Sequence, residues 1–232
     1  MDVAGDLNIK QNSAKPQITV LISGRGSNMQ AIHSACINGC LEAELSHVIS
    51  NVPDAAGLQY AQRHQIHTSV VDHKDYTSRE AFDKALIETI ESSCPPTLVL
   101  LAGFMRRLTA NFTRHFSGRL INIHPSLLPA HPGLDTHSKV LAAGDRWHGC
   151  SVHYVNEELD GGPVIARGVV PVLAGDSEEI LAARVLSTEH RLYPAITQLC
   201  IHGGAECQNS HVKVNQVTLN NPLLYCYDQS TG

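Results

Sequence analysis

The sequence predicts an α/β fold in which a mostly parallel, twisted sheet carries helices on both faces. Short runs of β-branched and other apolar residues alternate with longer mixed segments along the first half of the 232-residue chain. Residues 18–22 form a continuous apolar run, as in a strand that is buried on both faces, and residues 98–102 resemble it. The connections between the predicted elements are short, which favours right-handed crossover units and a Rossmann-like N-terminal half.

Five strands and three helices are predicted in the first half of the chain. Apolar runs predict strands over residues 18–22, 45–50, 68–71, 98–102 and 120–124. Helices are predicted between them over residues 28–38, 55–64 and 79–92. Gly39 ends the first helix and Ser78 caps the third, while Pro95 and Pro96 interrupt the chain before the fourth strand.

The second half of the chain has a different pattern. Residues 151–155 and 164–172 are strand-like and flank a Gly-Gly-Pro turn, and a long helix is predicted from about Ser177 to Leu199. Polar residues dominate after residue 202, where residues 211–219 predict an edge strand or hairpin followed by a tail. The expected organisation is a flexible N-terminal segment (1–17), one domain (18–202) and a C-terminal extension (203–232).

Composition limits the classes of function that the chain can have. Hydrophobic residues make up 43% and charged residues 17%, an ordinary balance for a globular protein. The formal net charge of −5 gives no basic footprint for nucleic acid or an anionic membrane. Seven scattered cysteines without a C-x-x-C pair argue against a disulfide framework or a zinc cage. We therefore expect a cytoplasmic monomer or homodimer with small-molecule substrates and no nucleic-acid or membrane partner.

The first motif, S-G-R-G-S-N at residues 23–28, directly follows the first predicted strand. Its glycines permit a tight turn, and the helix start behind it offers backbone N–H groups to an anion. Met29 stands where a dinucleotide-binding loop has its third glycine, and the second strand ends in Ser50-Asn51 without an acidic residue. The pattern fits a monophosphate-binding loop and a simple capped turn equally well.

The second motif, N-I-H-P-S-L-L-P at residues 122–129, begins inside the fifth predicted strand. Strand alternation places Asn122 and His124 on the same side, at the carboxyl end where α/β sheets bind ligands. Asparagine supplies a neutral donor and histidine exchanges a proton near neutrality, so the pair could stabilise an oxyanion and move a proton. A hydrogen-bonded histidine at a strand end would give the same pattern, and the chain has 14 histidines.

The third motif, E-E-L-D-G-G-P at residues 157–163, is a common turn former. Functionally, Asp160 could hold a nearby imidazole in its charged form, although the spacing alone does not bring it to His124. Cys150 is interpreted as a packing residue. No metal site is expected, because ligand spacing to a cysteine or glutamate is lacking around His124, His131, His137, His148 and His153.

Taken together, these motifs resemble the glycinamide ribonucleotide formyltransferases, folate-dependent enzymes of purine (IMP) biosynthesis. The likeness covers roughly residues 18–200 and lies in five runs in the same order: 20–32, 101–109, 120–137, 148–166 and 171–194. The resemblance implies the formyltransferase fold, 10-formyltetrahydrofolate as the formyl donor, and the amine of 5′-phosphoribosylglycinamide as the acceptor, without a metal.

The resemblance also implies roles for individual residues. The catalytic residues would be Asn122, His124 and Asp160, the phosphate loop would be Gly26, Ser27 and Asn28, and Glu189 would contact the glycinamide or ribose part of the nucleotide. Folate would be bound by Arg79, Met105, Arg106, Arg107, Leu108, Asn122, Asn156, Glu157, Glu158, Leu159 and Asp160. Arg107 stands where this family commonly has an apolar residue.

Three other classes of protein share parts of this pattern. Formyltetrahydrofolate hydrolases usually carry an extra N-terminal domain, whereas about 17 residues precede the first strand here. Methionyl-tRNA formyltransferases usually have Arg-Gly after their Ser-Leu-Leu-Pro run and a basic C-terminal domain, whereas Pro132-Gly133 occurs here and the tail is not basic. A non-catalytic module that binds a folate or a phosphosugar has no need of Asn122, His124 and Asp160 together.

Overall fold

The computed structural model describes residues 14–92, 95–208 and 211–226. The strands in this part of the chain are β1 (Gln17–Ile22), β2 (Glu44–Ser50), β3 (His67–Val70), β4 (Leu98–Leu101), β5 (Leu120–His124), β6 (Trp147–Tyr154), β7 (Val164–Pro171), β8 (Ala205–Gln208), β9 (His211–Val214), β10 (Val217–Thr218) and β11 (Leu223–Cys226). The helices are α1 (Ser27–Asn38), α2 (Ala56–Arg63), α3 (Arg79–Glu91), α4 (Ala110–His115), α5 (Thr136–Ala143) and α6 (Glu178–Ile201).

An eight-stranded sheet forms the centre of the molecule, with the strand order β11-β7-β6-β5-β4-β1-β2-β3. Neighbouring strands are parallel throughout, except that β6 runs antiparallel to both β5 and β7. The predicted mostly parallel α/β sheet is therefore confirmed. Strands β1, β2 and β3 follow one another toward one edge of the sheet, whereas β4 and β5 continue from β1 toward the other edge. Ligands in such sheets bind at the carboxyl ends of the strands, next to the point where this order reverses.

Helices cover both faces of this sheet, because its strands are apolar on both sides. One face is covered by α1, α2, α5 and α6, whose buried side chains include Met29, Leu58 and Leu181. The other face is covered by α3 and α4 through side chains such as Phe82 and Phe112. The long helix α6 is tied to the sheet centre by the fully buried Tyr193, whose hydroxyl lies 3.0 Å from Leu101 O and 3.2 Å from Ile121 O.

Local sequence signals explain where the long helices start. The Ser78 hydroxyl accepts a hydrogen bond from Ala81 N at 3.1 Å and caps α3. The Ser177 hydroxyl caps α6 in the same way by accepting from Ile180 N at 3.4 Å. Among the helices of the described ranges, none is both long and apolar enough to cross a lipid bilayer.

The structure differs from the predicted elements mainly in short pieces. Helices α4 and α5 were not predicted, because neither shows a clear apolar period. Helix α4 has only six residues, and Val140 is the one apolar side chain that α5 buries. Strand β6 begins at Trp147, four residues before the predicted start at Ser151. The prediction ended the last helix at Leu199, whereas α6 continues to Ile201.

The C-terminal extension contains two structural parts. Strands β8, β9 and β10 form a separate antiparallel sheet, and the β9–β10 hairpin lies within the region predicted as an edge strand or hairpin. Strand β11, predicted as part of a tail, instead pairs in parallel with β7 at the edge of the main sheet. The predicted flexible segment at 1–17 lies mostly outside the described residues, and Gln17 begins β1.

Candidate active site

Strands β5 and β6 bring the central polar side chains together. Their antiparallel register pairs Asn122 with His153 and His124 with Ser151. Asn122 and His124 are two residues apart on β5, so their side chains project from the same face of the sheet, as predicted. The site therefore lies where the parallel part of the sheet meets its antiparallel strand.

His124 faces the carboxylate of Asp160, whose distance from His124 could not be inferred from the spacing in the sequence. Its Nδ1 lies 3.5 Å from Asp160 Oδ2, and the two side chains are only 7% and 9% exposed. Its Nε2 lies 3.2 Å from His131 O. Both ring nitrogens thus face acceptors, which a doubly protonated imidazolium satisfies by donating from each nitrogen. The shielding from water strengthens any electrostatic interaction between the His124 ring and Asp160.

The loop between β5 and α5 holds this pair from both sides. It supplies the His131 carbonyl to His124, and its Gly133 N donates a hydrogen bond to Asp160 Oδ2 at 2.9 Å. The loop is anchored to β6 by Ser151, whose hydroxyl donates to Ser126 O at 2.7 Å and accepts from Leu128 N at 3.0 Å. This packing and hydrogen bonding hold His124 and Asp160, here called the dyad, in place before any substrate binds.

His153 is a site residue that sequence reasoning did not assign to catalysis. Its Nδ1 lies 2.9 Å from Tyr154 O, a carbonyl that can only accept, so Nδ1 carries the hydrogen. Burial lowers the pKa of His153, which favours the neutral ring. Its Nε2 is then an acceptor for Asn122 Nδ2 at 3.1 Å. This contact fixes the side-chain amide of Asn122 and leaves its second N–H available to a ligand.

The Asp160 loop depends on a close backbone approach. Asp160 has a φ of +51°, a left-handed conformation in which aspartate is better tolerated than most residues. A Cβ atom on Gly162 would lie 1.8 Å from Tyr154 O, which excludes every other residue type at that position. Gly162 is therefore required for the bend that brings Asp160 to His124.

The glycine loop at residues 23–28 lies at the start of α1. Gly26 is the N-cap residue with a φ of +70°, and no side chain caps this helix start. A Cβ atom on Gly57 would lie 2.4 Å from the Ile22 side chain, so α2 packs tightly behind the loop. The uncapped helix start keeps backbone N–H groups free to bind an anion.

Asn28 and Glu189 connect this loop to α6. Asn28 Nδ2 donates a hydrogen bond to Glu189 Oε2 at 2.7 Å. Glu189 is 6% exposed, and this burial raises the pKa of its carboxyl to about 7, although the Asn28 hydrogen bond lowers it. The predicted phosphate residue Asn28 and the predicted substrate residue Glu189 therefore form one polar pair.

A cleft with an empty volume of about 500 Å³ opens beside the dyad. Phe104 and Val155, which the sequence reasoning missed, supply apolar walls. Nine predicted folate residues line the cleft: Arg106, Arg107, Leu108, Asn122, Asn156, Glu157, Glu158, Leu159 and Asp160.

The other two predicted folate residues lie elsewhere. Arg79 lines an adjoining cavity of about 640 Å³, which shares Arg107, Leu108 and Glu157 with the cleft. Met105 lines neither cavity, and it is 64% exposed to solvent. The backbone N–H of Met105 donates a hydrogen bond to the Ser23 hydroxyl at 2.7 Å.

Two further sequence-based interpretations concern metals and thiols. Within the described residues, the histidine, cysteine, aspartate and glutamate side chains form no group of three that could hold a metal ion. Cys150 is fully buried, and burial raises the pKa of its thiol far above the usual range. A thiol that stays protonated is a poor nucleophile, so its position agrees with a packing role.

Comparison with known proteins defines the class to which this site belongs. The family model described as formyl transferase matches residues 16–197, and the chain belongs to that family. The phosphoribosylglycinamide formyltransferase of Escherichia coli (strain K12) is 51% identical over 179 residues, which cover 77% of this chain and 84% of that protein.

Two further comparisons place the chain more closely within the family. The phosphoribosylglycinamide formyltransferase from Coxiella burnetii has a solved structure that superposes with a TM-score of 0.87 at 42% identity, covering 91% of this chain and 99% of that one. The trifunctional purine biosynthetic protein adenosine-3 of Gallus gallus is 41% identical over 206 residues, which are 89% of this chain and 20% of that protein. The chain is therefore similar to purine-biosynthetic formyltransferases in sequence and in fold.

Proposed function

We propose that this protein transfers the formyl group of 10-formyltetrahydrofolate to the amine of 5′-phosphoribosylglycinamide in purine (IMP) biosynthesis. The observation that carries the proposal is the joint occurrence of two features. The chain is 51% identical to the Escherichia coli enzyme of that name. It also brings Asp160 within 3.5 Å of His124, beside Asn122, at the carboxyl end of β5.

The nucleotide is proposed to bind along the first turn of α1. Its phosphate accepts hydrogen bonds from the loop formed by Gly26, Ser27 and Asn28, where the uncapped helix start and its dipole favour an anion. Glu189 lies next to this loop and offers a carboxylate oxygen to the ribose hydroxyls or the glycinamide part. This arrangement points the amine of the nucleotide toward the dyad.

The folate is proposed to bind in the cleft beside Asn122 and Asp160. Phe104, Leu108 and Val155 supply apolar surface for a flat ring system. Arg79 and Arg107 line the adjoining outer cavity, where cationic side chains suit the glutamate tail of a folate. Met105 contributes through its backbone position, since its side chain lies outside both cavities.

The proposed chemistry is direct attack by the amine nitrogen on the formyl carbon. A nitrogen–carbon bond forms, and the formyl oxygen becomes an oxyanion that the His124 imidazolium and the free N–H of Asn122 stabilise. The intermediate collapses by breaking the bond from the formyl carbon to N10 of the folate. The amine loses one proton, by way of water and the dyad, and the departing N10 gains one, so the proton balance closes.

Asp160 holds the charge of the His124 imidazolium during this cycle. The carboxylate lies at ion-pair distance from Nδ1 and also accepts the Gly133 hydrogen bond, so its position is fixed independently of the substrates. No covalent enzyme intermediate and no metal ion are required by this scheme. The formyl donor is therefore a cosubstrate, and 10-formyltetrahydrofolate is the proposed one.

A spectrophotometric assay on purified, dialysed protein tests the proposal. A 10-formyl folate is supplied, and formation of the deformylated folate is followed with and without 5′-phosphoribosylglycinamide. We expect product only with the nucleotide, unchanged by a chelator, and a His124→Ala variant should lose about 100-fold or more in turnover. Product without the nucleotide would identify a formyltetrahydrofolate hydrolase, and binding without product would identify a non-catalytic folate or phosphosugar module.

Location and assembly complete the proposal. The described cysteines Cys36, Cys40, Cys150, Cys200 and Cys226 are free thiols, which agrees with a reducing, cytoplasmic compartment. The proposed state is a monomer or a homodimer. Light scattering coupled to gel filtration distinguishes these two states.

A further inference from the structure

Ser23, directly after β1, joins two loops that the proposed function assigns to different substrates. Its hydroxyl accepts a hydrogen bond from Met105 N at 2.7 Å and donates one to Asn51 Oδ1 at 2.6 Å. Its backbone N–H donates to Gly103 O at 3.2 Å. One residue therefore links the start of the glycine loop to the segment after β4 by two separate hydrogen bonds.

Asn51 fixes the hydroxyl of Ser23 from the other side. It follows β2 and is 3% exposed. Its Nδ2 lies 3.2 Å from His73 Nδ1, and its backbone oxygen lies 3.2 Å from the same ring nitrogen. The ring nitrogen cannot accept from Nδ2 and donate to the backbone oxygen at once, so the amide is held only in the tautomer without a hydrogen on Nδ1. In that tautomer Nδ1 accepts from Nδ2, and Oδ1 faces Ser23. Hydrogen bonds from one side chain to two loops favour a single arrangement of the loops that they connect.

The two linked segments carry different parts of the proposed reaction. The glycine loop at 23–28 receives the nucleotide phosphate, and the segment 103–108 borders the folate cleft. Transfer requires the amine of one ligand to reach the formyl carbon of the other, and a misplacement of about 1 Å can lower a rate about 100-fold. The distance between the two segments is therefore a determinant of the rate.

We propose that Ser23 is a positioning residue that fixes this distance and couples the binding of the two substrates. The proposal rests on the proposed function for the identity of the ligands. Anion binding at the glycine loop immobilises Ser23, and its hydroxyl then holds Met105 N and the folate segment in the productive position. Alanine at this position can neither accept from Met105 nor donate to Asn51, so the side-chain link is lost, while the backbone hydrogen bond to Gly103 and the glycines of the loop remain.

The test compares Ser23→Ala, Ser23→Thr and the control Ser46→Ala. Ser46 is a partly buried serine on β2 whose hydroxyl donates to Ile18 O at 3.2 Å, so its replacement removes a hydrogen bond outside both loops. Calorimetry measures the affinity for a non-reactive folate analogue alone, with inorganic phosphate and with the nucleotide. Steady-state assays give kcat and KM for both substrates, and circular dichroism verifies that each variant is folded.

In the wild type, phosphate and nucleotide should each increase the affinity for the folate analogue. Ser23→Ala should reduce this increase to near unity and lower kcat about 10- to 100-fold, following the cost of misplacement. Ser23→Thr retains a hydroxyl and should recover at least half of the coupling, and Ser46→Ala should behave as the wild type. If Ser23 had a purely structural role, Ser23→Ala would lower the stability of the fold but would not change the ratio of the analogue affinities with and without phosphate.

Three results would overturn the positioning role. The first is a wild type whose affinity for the folate analogue is unaffected by phosphate and nucleotide. The second is a Ser23→Ala variant whose affinity ratio and kcat both stay within about twofold of wild type. The third is a Ser46→Ala variant that loses as much coupling and kcat as Ser23→Ala. Failure of the proposed function is a separate observation, namely a wild type that transfers no formyl group to the nucleotide. The analogue affinity with inorganic phosphate still decides the role of Ser23 in that case.

Discussion

Replacement of Glu189 by glutamine should remove a pH dependence of folding stability. Glu189 lies on α6 with 6% of its surface exposed, and its Oε2 accepts a hydrogen bond from Asn28 at 2.7 Å. Burial raises the pKa of its carboxyl from 4.5 to about 7. Glutamine keeps the shape and an oxygen that accepts from Asn28, but it cannot ionise.

The sign and size of the effect follow from this raised pKa. The folded state binds the Glu189 proton more tightly than the unfolded state, so the stability contribution is fully present below pH 4.5. It is lost as the pH rises through the folded pKa of about 7. One unit of pKa corresponds to about 1.4 kcal/mol, so the total loss is about 3 kcal/mol, most of it between pH 5 and pH 8.

Urea unfolding at several pH values from 5 to 8 measures this difference. The free energy of unfolding of Glu189→Gln, relative to wild type, should rise by about 2 to 3 kcal/mol across this range. Glu88→Gln is the matched control, because the Glu88 side chain is 67% exposed on α3 and lies outside the site. Parallel curves for wild type and Glu189→Gln would show that the buried carboxyl has an ordinary affinity for protons, and the reasoning from burial would be refuted.

Three other substitutions have definite expected outcomes. Gly162→Ala brings a Cβ within 1.8 Å of a strand carbonyl oxygen, so thermal unfolding should show a loss of several kcal/mol; an unchanged Tm would contradict the close approach. Asp160→Asn should lower kcat about 100-fold in the steady-state assay, because His124 loses the carboxylate that lies 3.5 Å from its Nδ1; a kcat within about twofold of wild type would exclude that role. Asp176→Asn should cost roughly 1 kcal/mol at pH 7. Arg184 lowers the pKa of Asp176 to about 2, so chemical denaturation should show the deficit shrinking as the pH falls from 3.8 toward 2; a constant deficit would exclude the ion pair.

Local patterns in the sequence were sufficient for most of the main sheet. Strands β1 and β4 are apolar runs, and the caps at Ser78 and Ser177 mark the starts of α3 and α6. These signals act between residues close in sequence, so they can be recognised without knowledge of the fold. Strand β11 could not be assigned, because its four residues gain their conformation by pairing with β7, more than fifty residues earlier in the chain.

The candidate site shows the same division between local and long-range information. The same-side placement of Asn122 and His124 follows from strand alternation alone. The approach of Asp160 to His124 depends on a positive φ and on the contact of Gly162 with the β6 backbone, which the turn sequence permits but does not dictate. His153 could have been found from the alternation of S-V-H-Y at 151–154, had the antiparallel pairing of β6 with β5 been known.

The position of β11 has a consequence for how this protein is made. Strand β7 leaves the ribosome well before residues 223–226, and until they follow, its outer edge presents unpaired N–H and C=O groups. An uncovered strand edge is a template for pairing with another chain, so the interval before β11 arrives is a period of aggregation risk during synthesis. Expression vectors that truncate the gene before Leu223 would make that interval permanent, and inclusion bodies rather than a smaller active enzyme are the expected product.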